Sequence, residues 1–416
     1  MTSFSFIHAA DLHLGTPFKN LGECDVKWRE RLREAPFRAF ERIIRLCIEK
    51  GVDFLVLAGD VYDSSEQNLR AQVRFRDGLA RLAQHGIKTY IAKGNHDYGD
   101  ATGARFSWPD GVCFFPEGQV GSFLHRKNGE VVAELLGISY PDQNTTQNYA
   151  RSFRKSGRAN YTIGVLHSNV GGQPGYDNYA PCSLADLRAA SLDYWALGHV
   201  HRKLVLSQMD PVIAYPGPPQ GRSARETGPK GCFLVEVIGT KTSCTFLPTA
   251  EVLRETISLD ITPWEKLEDL FSGLEEAIET YAGSAGYLVA RVELTGRGLL
   301  HKELAAEETR AELLEEFRGR SFRGFRGVYL DDLVIRTDPE IDKEAERRSQ
   351  TITADFLRAL AELTEEEGAP QVAAALSSLY DSKYRRYLEL PRGGELSELI
   401  RAAENTGLDL LLGEED

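Results

Sequence analysis

The 416-residue chain reads as a layered α/β protein, sheets with helices packed on their faces. Three observations predict it. The first ninety residues alternate apolar runs with amphipathic stretches in a β-α-β-α-β rhythm. The next hundred and fifty switch to short alternating runs punctuated by Gly, Pro and Asn. Polar residues of metal-ligating type follow directly on five separate apolar runs, the position where open α/β sheets place their ligands.

Phe4 to Ala10 is predicted to be a strand running into Asp11-Leu12-His13. Trp28 to Lys50 has helical spacing through Phe37, Phe40, Ile43, Ile44 and Ile48, with Gly51 as its stop. Asp53 to Ala58 is a second buried strand ending in Gly59-Asp60-Val61-Tyr62-Asp63, Leu69 to His85 a second helix, and Ile87 to Ala92 a third strand ending in Gly94-Asn95-His96-Asp97. Val112 to Phe115, Val120 to His125 and Val131 to Gly137 read as hairpin strands. Tyr161 to Leu166 is a strand ending at His167; after a Gly-, Pro- and Asn-rich loop and a short helix from Ser183, Tyr194 to Leu197 ends in Gly198-His199-Val200-His201. Strands at Val205, Val212 and Cys232 to Ile238 close this part, residues 1–250.

Composition shifts near Leu253. Strands at Ile257 to Ile261, Tyr287 to Leu294 and Val328 to Ile335, with helices at Trp264 to Tyr281 and Lys302 to Phe317, predict a small α+β domain over 251–338. The tail, 339–416, reads as helical, with one apolar stripe of Ile352, Phe356, Leu360 and Leu363 and another of Val372, Leu376, Leu379, Tyr380 and Tyr387.

Apolar residues make up 42% and charged residues 27%, which suits a globular protein with a full core. The opening residues lack a signal peptide's pattern and no apolar run approaches the ~20 residues of a membrane span, so the expected location is cytoplasmic. The six cysteines are scattered without a Cys-x-x-Cys pair, as in a reducing compartment. Net charge is −13, but from Glu340 onward eighteen Asp and Glu stand against nine Lys and Arg. Most of the acidity therefore belongs to the tail, and the body can still meet a polyanion through bound cations.

The candidate site residues are Asp11 and His13, Asp60, Asn95 and His96, His167, and His199 with His201. Mixed oxygen and nitrogen donors without a thiolate suit Mn²⁺, Fe²⁺ or Zn²⁺. Two ions need a bridge, and a carboxylate arriving between the other groups, Asp60, fits that role. Asp63 and Asp97 read equally well as turn residues. His8, His85, His125 and His301 stand alone and are set aside. Two basic stretches, Arg151, Arg154, Lys155 and Arg158, and Arg318, Arg320, Arg323 and Arg326 with Phe322 and Phe325, are candidate DNA contacts.

Asp11-x-His13, Gly59-Asp60-x-x-Asp63, Gly94-Asn95-His96-Asp97, His167 and Gly198-His199-x-His201 resemble, in this order, the five signatures of the calcineurin-like metallophosphoesterases. The longer stretches "HAADLHLGTPF", "YWALGHVHRK" and "YPGPPQGRSARETGPKG" are similar to the double-strand-break repair nucleases of the SbcD type, most of all their YhaO-like branch. The resemblance covers residues 1–250 strongly and the rest in outline. It implies a four-layer β-sandwich flanked by helices, with a capping α+β domain and a helical tail that grips an SbcC-like coiled-coil ATPase. It also implies that Asp11, His13, Asp60 and His201 hold one metal and that Asp60, Asn95, His167 and His199 hold the second, Mn²⁺ before Fe²⁺ or Zn²⁺. His96 then protonates the leaving oxygen, with Asp97 as its orienting partner. The expected activity is Mn²⁺-dependent DNA exonuclease and endonuclease chemistry, the alternative being a metallophosphatase or phosphodiesterase acting on a small phosphoester or phosphoprotein. Homodimerisation through the first two helices is a further expectation. The chain has no Gly-x-x-x-x-Gly-Lys-Ser/Thr loop, which leaves ATP hydrolysis to a partner.

Overall fold

The computed structural model describes residues 3–16, 18, 25–63, 69–97, 107–140, 145–283, 285–364 and 394–412. The chain divides into two compact units, one of Met1–Glu255, Tyr281–Ala290 and Ser321–Asp331, the other of Thr256–Thr280, Arg291–Arg320 and Asp332–Asp416.

The first unit is a four-layer sandwich. β1 (Ser3–Ala9), β2 (Phe54–Ala58), β3 (Lys88–Ala92) and β4 (Val112–Phe114) run parallel, and β11 (Gly231–Ile238) and β12 (Lys241–Pro248) add antiparallel strands beside β1, giving the order β12-β11-β1-β2-β3-β4. The second sheet has the order β5-β6-β7-β8-β10-β9, built from β5 (Gly121–Lys127), β6 (Glu130–Gly137), β7 (Thr162–His167), β8 (Tyr194–Gly198), β9 (Leu204–Gln208) and β10 (Val212–Tyr215). Strand alternation sends Phe4, Phe6, Phe54, Val56 and Tyr90 of one sheet against Tyr161, Ile163, Val165 and Tyr194 of the other. The rings of Phe6 and Phe54 stack at 4.9 Å, and Tyr194 meets Phe6 edge-on at 5.4 Å.

The opposite faces bury against helices. α1 (Val26–Lys50) starts where Asp25 caps the Trp28 N–H and stops at Gly51, whose φ of +60° lies in the left-handed region. Its stripe of Phe37, Phe40, Ile43 and Ile44 packs with Phe75 and Leu79 of α2 (Leu69–Gln84) over Ile7, Leu55 and Ile91. On the outer face of the second sheet, α3 (Leu184–Ala189) starts from a capping box made by Ser183 and Asp186 and buries Leu187 near Trp195.

The strands β13 (Val252–Asp260), β14 (Tyr287–Gly298) and β15 (Gly327–Pro339) form a third sheet in chain order. The second unit adds α4 (Leu267–Glu279), α5 (His301–Leu304), α6 (Glu307–Gly319), α7 (Lys343–Arg347), α8 (Ile352–Thr364) and α9 (Gly394–Leu412). Gly407 of α9 lies so close to the Phe356 ring of α8 that an added Cβ would fall 2.1 Å from it. The stripe from Val372 to Tyr387 lies outside the described residues.

Three sequence expectations are corrected. The run at Val112 is no hairpin strand: it joins β3 in parallel, and of the three runs expected to form hairpins it is the other two, β5 and β6, that pair as one. The helix expected over Lys302 to Phe317 is two, interrupted at Ala305 and Ala306. β12 was not anticipated, because its solvent-facing Thr, Ser and Lys dilute the Cys244 and Phe246 that pack on the core. Among the described residues no helix is long and apolar enough to cross a membrane.

Candidate metal centre

Parallel β1, β2 and β3 of one sheet and β7 and β8 of the other all end at one edge of the sandwich, and each ends in a candidate ligand. Four of these residues, Asp11, His13, Asp60 and His199, have φ values of 55°, 42°, 53° and 101°. A non-glycine residue there costs ~1 to 3 kcal/mol, and such strain persists where surrounding bonds over-determine it. Here Asp11 N–H donates to the Gly59 carbonyl and His13 N–H to the Asp60 carbonyl, locking the two loops together. Glycine is needed where they close: a Cβ on Gly94 would fall 2.2 Å from Asp60 Oδ1, and one on Gly198 only 1.9 Å from the Ala58 carbonyl oxygen.

Asp11, His13, Asp60 and His201 present ligand atoms within 4.8 Å of one another. His201 donates its Nδ1–H to Glu226 Oε1 at 2.6 Å, so its Nε2 lone pair faces His13 Nε2 at 3.3 Å. Burial holds His13 well below the ordinary imidazole pKa, keeping it neutral. Asp11 Oδ1 accepts the His199 N–H at 2.9 Å, while its Oδ2 is buried without a partner.

The second group lies around His167. Its Nδ1–H donates to the Ala58 carbonyl at 3.0 Å, which aims Nε2 at Asn95 Oδ1 (3.0 Å) and Asp60 Oδ2 (3.4 Å). His199 donates Nε2–H to the Asp177 carbonyl, leaving Nδ1 as its donor atom, and its ring centroid lies 5.2 Å from that of His167. Burial alone would depress His167; the Asp60 carboxylate, its hydrogen bond and Asp11 outweigh that and raise it to about 9. Asp60 sits between the groups, with Oδ2 3.6 Å from His13 Nε2 and 3.4 Å from His167 Nε2, and with Oδ1 accepting the His96 N–H at 3.0 Å. The buried orphan oxygen of Asp11, the convergent donor atoms and the thiolate-free donor set fit divalent cations at this centre.

His96 belongs to the same mouth, 5.2 Å from the His13 ring and part-exposed. Its expected partner Asp97 is corrected. The Asp97 carboxylate is fully buried and accepts the backbone N–H groups of Val61, Tyr62 and Gly94 at 3.0, 2.9 and 3.1 Å, clasping the β2 loop to the β3 loop. The residue that holds His96 is Asp63, whose Oδ1 lies 3.3 Å from Nδ1. That hydrogen bond, against opposing burial, raises the His96 pKa.

Sequence reasoning missed Glu226 altogether. The only hint was its standing as the single acid in the Gly-, Pro- and Arg-rich stretch after Tyr215. The four solitary histidines have structural partners: His8 with Tyr194 and the Leu197 carbonyl, His85 with the Arg81 carbonyl, His125 with Tyr90, and His301 with Thr337.

Among the described residues, the side chains of the first basic stretch find their partners outside the centre. Arg151 pairs with Asp186, Lys155 with Asp193 and Arg158 with Glu134. Asp193 precedes β8 and Glu134 sits opposite Thr162 at the start of β7, so Lys155 and Arg158 lie at the strand ends away from His167 and His199. Arg154 donates to the Phe153 carbonyl. In the second stretch Arg320 pairs with Glu275 and lies over the Phe271 ring, Arg323 and Arg326 are exposed, and Phe322 is buried, which removes it as a base-stacking platform.

Residues 4–203 match the calcineurin-like phosphoesterases, and residues 255–338 match the middle domain of the metallophosphoesterase YhaO. The uncharacterized metallophosphoesterase YhaO of Bacillus subtilis strain 168 is 32% identical over 345 residues, spanning 83% of this chain and 84% of its own. The chain belongs to the YhaO-like family of calcineurin-like metallophosphoesterases. More distant relatives of this metallophosphoesterase carry the name DNA double-strand break repair protein Mre11. That of Methanocaldococcus jannaschii is 22% identical over 284 residues, covering 65% of this chain and 73% of its own. That of Methanococcus maripaludis is 26% identical over 249 residues, covering 56% and 63%.

Proposed function

We propose that this metallophosphoesterase is a Mn²⁺-dependent DNA nuclease that hydrolyses phosphodiester bonds in double-strand-break repair. The observation that carries the phosphodiester chemistry is Asp60 Oδ2 lying between two histidine nitrogens, with a part-exposed, carboxylate-held His96 at the same mouth. DNA as the polymer is supported by the Mre11 names of the distant relatives.

When bound, two divalent cations supply charge neutralisation for the phosphoryl oxygens and a nucleophile at neutral pH. Asp11, His13, Asp60 and His201 would hold one ion; Asp60, Asn95, His167 and His199 would hold the other. Glu226 keeps the proton of His201 on Nδ1, and the Ala58 carbonyl keeps that of His167 on Nδ1, so both rings face the centre with lone pairs. As the bond between phosphorus and the sugar oxygen breaks, that oxygen becomes a strong base. His96, with Nδ1 toward Asp63, donates its Nε2 proton to it, a contribution of ~10²- to 10⁴-fold. The acidic tail is the proposed contact for a coiled-coil ATPase.

Linear duplex DNA and a chromogenic phosphodiester, each with Mn²⁺, test the reading. Cleavage of both is expected, and cleavage of the chromogenic ester alone would favour a small phosphoester as substrate. His96→Gln should keep both ions and lose hydrolysis.

A further inference from the structure

The turn after β10 is fastened to the metal centre by one carboxylate. Glu226 Oε1 accepts the Nδ1–H of His201 at 2.6 Å, and Oε2 accepts the backbone N–H groups of Arg222 at 2.6 Å and Ser223 at 3.1 Å. The carboxylate is thus used up by the His201 ring and the turn's backbone. The Arg222 side chain is left over. It is only 7% exposed, its Nε is buried without a hydrogen-bond partner, and among the described residues its guanidinium makes no hydrogen bond or ion pair. Its backbone is held by the carboxylate that also binds the His201 ring, which keeps it next to the centre.

A buried guanidinium nitrogen without a partner is costly, most of all where no carboxylate pairs with the charge. Arg254 in the same unit is as deeply buried, and although its Nη1 has no hydrogen-bond partner, its charge is balanced by Asp331, to which it donates at 2.9 Å. Arg222 has no such explanation. The guanidinium carries five N–H donors in a planar fork that matches two oxygens of a phosphoryl group. A tetrahedral oxyanion delivered to the ligand cluster would supply the missing acceptors.

We propose that Arg222 is a substrate-binding residue whose guanidinium holds non-bridging oxygens of the phosphoryl group being hydrolysed, beside His13 and His201. This rests on the phosphoesterase reading and adds a residue to it. It also accounts for the architecture of the turn: Glu226 orients His201 with one oxygen and sets the backbone of Arg222 with the other, so ligand and phosphate-binding group are positioned by the same side chain.

The test is calorimetric titration of the Mn²⁺-loaded full chain with inorganic phosphate, for the unsubstituted protein, Arg222→Met and Arg222→Lys. Metal content and thermal unfolding are measured alongside. Arg222→Met is expected to bind phosphate roughly 10- to 100-fold more weakly, the range spanned by a hydrogen bond to a charged group, with Lys in between. Both ions should stay bound, and the melting temperature should be unchanged or higher, since a costly buried charge has been removed. Unchanged phosphate affinity in Arg222→Met would overturn the proposal. So would loss of metal together with a lower melting temperature in both variants, the signature of a structural arginine. Failure of the unsubstituted protein on duplex DNA would overturn the DNA reading alone, because phosphate binding is measured without DNA.

Discussion

The centre depends on two sheets approaching more closely than side chains normally allow, and Gly198→Ala tests that dependence. Gly198 ends β8, directly across from the end of β2, and an alanine Cβ there would lie 1.9 Å from the Ala58 carbonyl oxygen and 2.8 Å from His167 Nδ1. A carbon and an oxygen not bonded to each other need more than 3 Å, so β2 and β8 must part by about an ångström. The overpacking itself costs ~1 to 3 kcal/mol. The same displacement pulls the Ala58 carbonyl away from the His167 Nδ1–H it now accepts at 3.0 Å, and a buried donor left unpaired adds ~1 to 3 kcal/mol. Together a loss of about 2 to 6 kcal/mol is expected. Fluorescence-monitored denaturant unfolding reads it, because Trp195 is fully buried on β8 itself. A Mn²⁺ titration of the folded variant should show the ion held by His167 lost or much weakened and the ion held by His13 and His201 retained. A variant as stable as the original that binds both ions would refute the close-approach argument.

Asp63 and Asp97 should behave differently although both flank His96. Asp63 raises the pKa of His96, the acid must be protonated to work, and activity falls as pH rises through that pKa. Asp63→Asn therefore moves the alkaline limb of kcat to lower pH, whereas Asp97→Asn, which loosens the clasp on Val61, Tyr62 and Gly94, lowers kcat without moving that limb. A limb that moves in Asp97→Asn and stays in Asp63→Asn would restore the partner expected from sequence. Glu226→Gln removes the charged acceptor that orients His201 and should weaken Mn²⁺ binding by ~10- to 100-fold, measured by equilibrium titration; unchanged affinity would show that His201 needs no orienting group.

The candidate cluster was legible because each member follows its own apolar strand, and parallel strands bring such ends to one edge. Most strands of the two sheets followed from the same periodicity, β12 excepted, while the four-layer arrangement came from the resemblance. What escaped was every contact set by the path of a loop. Asp97 stands beside His96 in sequence, yet the turn sends its carboxylate inward to backbone amides, while Asp63, thirty-three positions earlier, reaches the ring. Glu226 lies twenty-five positions beyond His201 in a stretch without periodicity. The basic residues from Arg151 to Arg158 looked free because their partners, Asp186, Asp193 and Glu134, come from other strands and helices; charge in a sequence does not reveal whether it is already paired.

Mn²⁺ titration of the metal-free chain beside Asp60→Asn tests the proposed sharing of Asp60 by two cations. The unsubstituted protein should take up two ions, and Asp60→Asn should lose tight binding of both, since its Oδ2 lies between His13 and His167. An Asp60→Asn protein that keeps one ion at the original affinity would contradict the shared bridge.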